Sequence, residues 1–439
     1  MSGRLPAPPQ PSEPHTPWVQ PLRVGGLLLP RLLWVVLLGI VSLPMWPLYA
    51  LGCAIWGVPP VVVRLVQVRR YLHLIWTVTP PPPGLPWLGR AWLTLSVVQK
   101  IVVVPIWGLA WHLDELLYGW LLDRVPVKAP LIEISAARSG STQLAHYLAE
   151  DPDLEAPVLL QMFFPFLWMW RIAVPTLGRF FTPARLEHML HKVLPPEFLE
   201  RHEGTLVQTD TFEAGIYSSH LTLLAPLLGP EVFAEEFGFG TTTPHNQVLW
   251  TETFVVLLDR TTRKALLWRG PKPDGTWPRL FIKGHFLAAA PALAERYPDA
   301  RFLTVIREPV ARIRSAVNFL RANPFDGVMG HPPWIWMSEG IVHTECVYCD
   351  AEHAWFTEED GPRRHVVRFS DYVADLEGTL AGIYAACLDQ PQVPANLPRE
   401  HPPRRRSHYL FDRSLDEVGV DEDGLRARLA DYAAWSAPA

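Results

Sequence analysis

The sequence predicts an α/β fold: a mainly parallel sheet flanked by helices, with a large helical insertion and N-terminal membrane-associated helices. Three observations carry this. Short β-branched runs alternate with helix-like segments from about residue 126 onward, a long helical stretch separates the first two of those runs, and residues 32–63 hold no charged side chain and no histidine. At 439 residues and 49% apolar content, the chain can build one large domain with material to spare.

The strands are expected at Leu131–Ser135, Arg279–Lys283, Arg301–Ile306 and His365–Phe369. Each precedes a helical pattern, at Ser141–Ala149, Ala288–Arg296, Val310–Arg321 and Leu376–Cys387. Strands that alternate with helices imply a parallel sheet covered on its faces. Residues 157–278 form the insertion, rich in aromatics at Phe163, Phe164, Phe166, Trp168 and Trp170, which read as packing rather than as an acceptor pocket.

Three regions follow: a Pro-rich leader over 1–24, a membrane-associated helical region over 25–125 and a catalytic domain over 126–439. The leader holds seven prolines and no apolar period, so it cannot offset the entropy of ordering and is expected to be disordered. As one straight helix, residues 32–63 would reach about 48 Å against a hydrocarbon core of about 30 Å. Pro44 and Pro47 interrupt the run, and basic residues flank it at Arg4, Arg23 and Arg31 and again at Arg64, Arg69 and Arg70. That pattern favours a re-entrant hairpin with both ends cytoplasmic; a kinked single span and a buried core helix are the alternatives. Pro80–Pro83 reads as a stiff linker, and residues 91–122, apolar but carrying Lys100, Asp114 and Glu115, as an interfacial helix, with a second insertion as the alternative.

A net charge of −5 argues against a nucleic-acid partner, which would call for surplus Lys and Arg. Four cysteines give no disulfide framework. Cys346 and Cys349, flanked by His343 and His353, have the spacing of half a zinc site, but no second Cys-x-x-Cys exists and the pair reads as helical packing.

The first strand runs into Arg138-Ser139-Gly140-Ser141-Thr142 and then a helix. A glycine-containing turn there aims backbone N–H groups and the positive helix end at one point, which suits a phosphate or sulfate, and Arg138 adds a cation. The Walker A spacing is absent. Arg307 ends the third strand with Ser315 eight residues on, an arrangement that can grip a second phosphate from two sides. Lys283 and His285 end the second strand and offer a cation and a titratable imidazole.

Together these residues resemble the sulfotransferase family that uses PAPS (3'-phosphoadenosine 5'-phosphosulfate), in its bacterial-type branch. Arg138, Ser139, Gly140, Ser141 and Thr142 are similar to its 5'-phosphosulfate loop, Arg307 and Ser315 to its 3'-phosphate pair, and Lys283 with His285 to its Lys-x-His. Phe369 matches an aromatic that can stack on adenine. The resemblance covers roughly residues 130–435. The loop cation is arginine instead of the commoner lysine, and the carboxyl-terminal basic loop is not visible; Arg404-Arg405-Arg406 reads equally as its substitute or as a solvated basic run.

The resemblance implies a P-loop-like α/β fold, PAPS as cosubstrate, no metal, and in-line transfer of a sulfuryl group to an acceptor hydroxyl or amine; membrane attachment points to a lipid, sterol or glycan acceptor, with a soluble acceptor as the alternative. Arg138 and Lys283 would stabilise the leaving group, and His285 would act as general base with Glu213 in reserve. A nucleotide-dependent kinase and a catalytically inactive membrane scaffold are the rival readings.

Overall fold

The structure, a computed structural model, describes residues 19–79, 85–178, 206–319, 334–358, 363–390, 392–401 and 414–438, together with positions 182, 185 and 188. The leader up to residue 18, the proline run at 80–83 and the basic run at 404–406 lie outside the described residues. Five parallel strands form one sheet: β1 (Leu131–Ile134), β2 (Leu154–Glu155), β3 (Arg279–Gly284), β4 (Arg301–Ile306) and β5 (Arg363–Arg368). Their spatial order is β2-β3-β1-β4-β5. The central strand β1 pairs with β3 on one side and β4 on the other.

All four residues of β1 are buried, as a parallel strand covered on both faces requires. Alternate side chains go to opposite faces. Leu131, Phe281, Leu303 and Val305 join a cluster with α5 (Ser141–Leu148) and the late helix Leu376–Cys387. Ile132, Ile134, Leu280, Ile282 and Phe302 join a larger cluster on the other face, with the insertion and the N-terminal helices.

Two expected boundaries move. Strand β5 starts at Arg363, and Phe369 opens the helix Phe369–Ala374 instead of ending the strand. Strand β2 is only two residues long, too short for any alternating pattern to announce it.

The N-terminal region begins with α1 (Val19–Ser42), a 3-10 turn over Leu43–Met45 and α2 (Trp46–Trp56). Ser42, Met45 and Trp46 all keep helical backbone angles, so Pro44 and Pro47 do not reverse the chain and no hairpin forms there. Both prolines sit in the first positions of their helices, where the missing N–H costs nothing. Helix α3 (Leu65–Thr77) then leads to α4 (Trp87–Leu122), a 36-residue helix with Pro105 inside it.

Helices α1 and α2 run alongside α4 in the same direction: Arg31 bonds to Ser96 at 2.9 Å, Gly39 faces Val102, and His112 Nε2 lies 3.1 Å from the Gly57 carbonyl. Gly52 packs under His112 and Gly108 under Tyr49, where an added Cβ would collide with the ring, so small residues let these helices approach. Leu28–Trp56 and Trp87–Leu122 are each long and apolar enough to cross a membrane.

Helix α4 also enters the sheet domain. Leu93, Val97, Val104 and Trp111 belong to the same buried cluster as Ile132 and Phe212, so one core crosses the boundary expected at residue 126. The aromatic run of the insertion packs here: Trp107 stacks on Phe164 with centroids 5.9 Å apart and meets Phe166 edge-on at 5.2 Å, and Trp168 Nε1 donates to the Ala110 carbonyl at 3.0 Å.

Candidate active site

Four adjacent strands present chemistry-bearing residues at their carboxyl ends, in the order β3 (Lys283, His285), β1 (residues 135–142), β4 (Arg307) and β5 (Phe369). Because β1 has neighbours reached by connections of opposite sense, a crevice opens there, the usual ligand position of an open parallel sheet.

The turn after β1 is under backbone strain. Arg138 has φ 65°, left-handed and unfavourable for a side chain by about 1–2 kcal/mol, and Gly140 has φ 96°. A Cβ at Gly140 would also sit 2.7 Å from the Phe369 ring. Helix α5 starts at Ser141 with no side chain capping it, which leaves its first N–H groups facing the turn. Ser139 is fully buried, and its Oγ meets no partner among the described residues.

Arg138 binds the two elements expected to flank it. Its Nε donates to Ser315 Oγ at 3.1 Å, and its carbonyl accepts from Arg307 Nη1 at 3.0 Å. The Arg307 guanidinium lies 4.6 Å over the Phe369 ring. Arg138, Arg307, Ser315 and Phe369, scattered over more than 230 positions, thus form one cluster beside Gly140.

A second cluster lies across the turn. Lys283, buried at the end of β3, donates from Nζ to Thr142 Oγ1 at 2.9 Å and reaches Asp210 Oδ1 at 3.3 Å. Residues 210–213 run beside β3: Thr211 bridges to Lys283 in parallel register, and Phe212 N–H donates to the Lys283 carbonyl at 2.9 Å. This places the fully buried Glu213 so that Oε1 accepts the His285 backbone N–H at 3.0 Å, while Oε2 has no partner among the described residues. Burial raises the Glu213 carboxyl to about 7, against the pull of its N–H bonds and Lys283.

His285 is half-buried, with Nδ1 2.7 Å from the Ser135 carbonyl oxygen. Only an N–H can face a carbonyl, so Nδ1 carries the proton and Nε2 the lone pair. Burial, and then the Lys283 charge, lower the imidazole to about 3, so it is neutral at pH 7.

Beneath the turn a buried polar network fixes Ser135. Its Oγ bonds to Glu133 and accepts from Val305 N–H at 2.8 Å. Thr304 Oγ1 donates to Glu352 at 2.5 Å, and Arg312 pairs with Glu352 at 3.4 Å and Glu345 at 3.2 Å. Arg312 also donates to the Tyr432 hydroxyl and to Cys349 Sγ, each at 2.9 Å. Cys346 and Cys349 are free thiols on one helix, Trp334–Thr357, and no cluster of three metal-ligating side chains occurs among the described residues.

Asp210, Ser135 and Glu133 are the site residues that sequence reasoning passed over. Asp210 meets Lys283 across 73 positions, and no local spacing signals such a contact. A glutamate inside the apolar run of β1 is the one visible signal for Glu133, since a charge in a central strand demands partners.

The profile of the Sulfotransferase family matches residues 130–389, more than half of the chain and the stretch that holds both clusters. Two solved structures share the fold. A sulfotransferase from Mycobacterium avium, STF9, is 18% identical with a TM-score of 0.59 over 88% of this chain and 95% of its own. STF1 from Mycobacterium tuberculosis H37Rv is 16% identical with a TM-score of 0.54 over 88% of this chain and 98% of its own. Among curated proteins none matches the sequence. The family match and the shared fold support sulfuryl transfer in general, and the chain belongs to the sulfotransferase family.

Proposed function

We propose that this sulfotransferase draws its sulfuryl group from PAPS and transfers it to an acceptor hydroxyl or amine at a membrane surface. The observation that carries the reading is the convergence of Arg138, Arg307, Ser315 and Phe369 on the strained turn before α5. The residues present fit such a nucleotide. Ser139 Oγ is buried without a partner among the described residues, α5 is uncapped, and any side chain at Gly140 would fill the cradle beside Phe369.

When bound, PAPS supplies the sulfuryl group on a phosphate leaving group. Arg307 and Ser315 hold the 3'-phosphate, and Phe369 faces the adenine. Arg138, the α5 N–H groups and Lys283 concentrate positive charge where the leaving oxygen gains negative charge, which stabilises an in-line transfer. No metal has a role in this scheme.

His285 accepts the acceptor's proton at Nε2, the nitrogen that the Ser135 carbonyl leaves unprotonated. An anion bound beside Lys283 favours protonated forms nearby, so the imidazole moves up from about 3 toward a useful basicity. The same anion moves Glu213 up from about 7, which favours its protonated form. A second reading has Glu213 as the base, favoured by its unpartnered Oε2.

Membrane attachment rests on the apolar helices α1, α2 and α4. The arginines at 64, 69 and 70 that follow the first of these favour a cytoplasmic catalytic half.

The test is calorimetry of PAP, the spent nucleotide, with the full chain in detergent. Arg307→Ala is expected to weaken binding by about 1.5–3 kcal/mol, the range for charged hydrogen bonds. Unchanged affinity would remove the 3'-phosphate assignment. With radiolabelled PAPS and a lipid extract as acceptor source, His285→Ala should slow transfer by about 10²–10⁴-fold while PAP affinity holds. If Glu213→Gln is the inactive variant instead, the carboxyl is the base.

A further inference from the structure

A cavity of about 710 Å³ lies between α2, α3 and α4, within the size range of small-molecule sites. Its walls are apolar, with Trp46, Tyr49, Val63, Val68 and Val104 among them, and they carry one charge, Arg64. The long-range partner of Arg64 is Glu252, 3.8 Å away, too far for a tight hydrogen bond. Leu65 also lines the cavity and is 80% exposed, so the cavity opens to the surface of the helical region. Trp46 and Tyr49 belong to the apolar segment Leu28–Trp56 and Val104 to Trp87–Leu122, so with these segments in a bilayer a hydrocarbon chain can enter between them.

On the inner side, Val63 and Val104 also border a void of only about 10 Å³ lined by Lys100 and Ser219. Ser219 ends the helix Ala214–Ser219, which begins directly after Glu213; six residues of helix span about 9 Å. At that end Ser219 Oγ contacts His220 Nδ1 at 2.8 Å, and the fully buried His220 Nε2 has no partner among the described residues. Burial, then the charges of Lys100 and Arg64, lower this imidazole to about 3, so it stays neutral beside two cations.

Building on the sulfotransferase reading, we propose that this cavity holds the hydrocarbon chain of the acceptor, a membrane amphiphile with an anionic group held at Arg64 and a hydroxyl or amine directed past Ser219 toward His285 and Glu213. Apolar walls, a lateral opening and a single cation at the rim match an acidic lipid. A sugar or a soluble phenol would leave most of the cavity unfilled.

The test uses the full chain in detergent, with a long-chain fluorescent fatty acid as the binding probe, PAP as the nucleotide probe, and transfer from radiolabelled PAPS into a membrane lipid extract. Wild type is expected to bind the fatty acid and to label material that partitions into organic solvent. Val104→Trp fills the cavity and should weaken fatty-acid binding about tenfold or more, the loss expected when two methylenes are displaced. Arg64→Gln, at a half-exposed position whose ion pair with Glu252 is also solvent-exposed, should weaken it in the same direction. Both should reduce labelled lipid while PAP affinity is unchanged.

Label confined to the aqueous phase overturns the proposal, as does fatty-acid binding that neither variant disturbs. Fatty-acid binding lost with lipid labelling intact means that the cavity holds a structural lipid, which also overturns the acceptor role. If wild type fails to bind PAP, the cosubstrate reading falls and takes the acceptor assignment with it; PAP bound with no labelled lipid overturns the acceptor assignment alone.

Discussion

Leu28–Trp56 and Trp87–Leu122 pass the same test of length and apolarity, yet the fold uses them for different purposes. In the most apolar window of the first, 11% of residues are buried, against 33% in the second. The first leaves Leu33, Leu37, Ile40, Leu48 and Ile55 more than half exposed, a continuous apolar face that no part of the chain covers among the described residues. The second carries a fully buried carboxylate, Asp114, paired with Lys264 of the insertion helix Phe254–Arg269 at 2.9 Å. Apolar composition alone does not separate a helix that keeps an exposed apolar face from one that anchors a domain; a satisfied internal charge does.

That pair is well provided for. Asp114 also accepts the backbone N–H groups of Leu167 at 2.7 Å and Trp168 at 2.8 Å. Lys264 donates to the Pro165 carbonyl at 2.9 Å and lies 3.6 Å over the Trp111 ring. Breaking such a pair by removing one partner strands a charge in the core.

The largest expected effect follows. Truncation at residue 125 removes Asp114 and the buried Leu93, Val97, Trp111 and Leu122, and should yield no folded domain, whereas truncation at residue 57 should retain PAP binding. Soluble, PAP-binding protein from the shorter fragment would show that α4 is as dispensable as α1. The point variant Asp114→Ala should cost about 3–5 kcal/mol in chemical unfolding of the detergent-solubilised chain. The charge-free pair Asp114→Leu with Lys264→Met should recover only part of that, because Leu167 and Trp168 N–H groups still lose their acceptor, at about 1–3 kcal/mol.

A smaller effect sharpens the contrast between a partnered buried acid and one that keeps an oxygen without a partner. Glu133 and Glu213 are fully buried, each with such an oxygen among the described residues, and burial raises them to about 8 and about 7. Unfolded, both ionise near 4.3. The folded state therefore binds more protons between these values, and the stability it draws from them is full below about 4.3 and is lost as pH rises through 7 and 8. His285 has the opposite sign: its folded value of about 3 lies below the unfolded 6.5, so its contribution is present above 6.5 and is lost as pH falls toward 3. Of these three groups only the carboxyls titrate above pH 6.5, so between pH 6.5 and about 8 denaturation midpoints should fall with rising pH. Glu213→Gln should flatten that slope; an unchanged slope would mean that Glu213 is ionised in the fold.

What was legible in the sequence follows physical range. Strands β3 and β4 read correctly to within a residue, because buried β-branched runs flanked by helix-like segments are local patterns. The turn from Arg138 to Thr142 between a strand and a helix was legible for the same reason. Phe369 was placed at a strand end but begins a helix, since one residue at a boundary carries no periodicity. The contacts of Lys283 with Asp210 and of Asp114 with Lys264 were not legible at all: they join positions 73 and 150 apart, and only the packed sheet brings them together. Pro44 and Pro47 misled in the other direction. A proline breaks a helix interior but not its first turn, and a 3-10 turn turned each into a first-turn residue.

The smallest expected effect on folding belongs to the first apolar segment. Leu37 is 52% exposed on α1, so Leu37→Asp leaves the new carboxylate open to solvent rather than buried in protein. In detergent its unfolding free energy should stay within about ±0.5 kcal/mol of wild type, as for surface substitutions generally. A bilayer is a different solvent: an aspartate at the centre of an apolar helix costs about 2.5–3.5 kcal/mol there, enough to shift partitioning by about two orders of magnitude. Vesicle flotation of wild type and variant at equal protein concentration measures this directly. A variant that floats as well as wild type would show that α1 does not face lipid, and one that unfolds several kcal/mol more easily would show that its exposed face is a hidden part of the core. Either result would erase the distinction between the two helices.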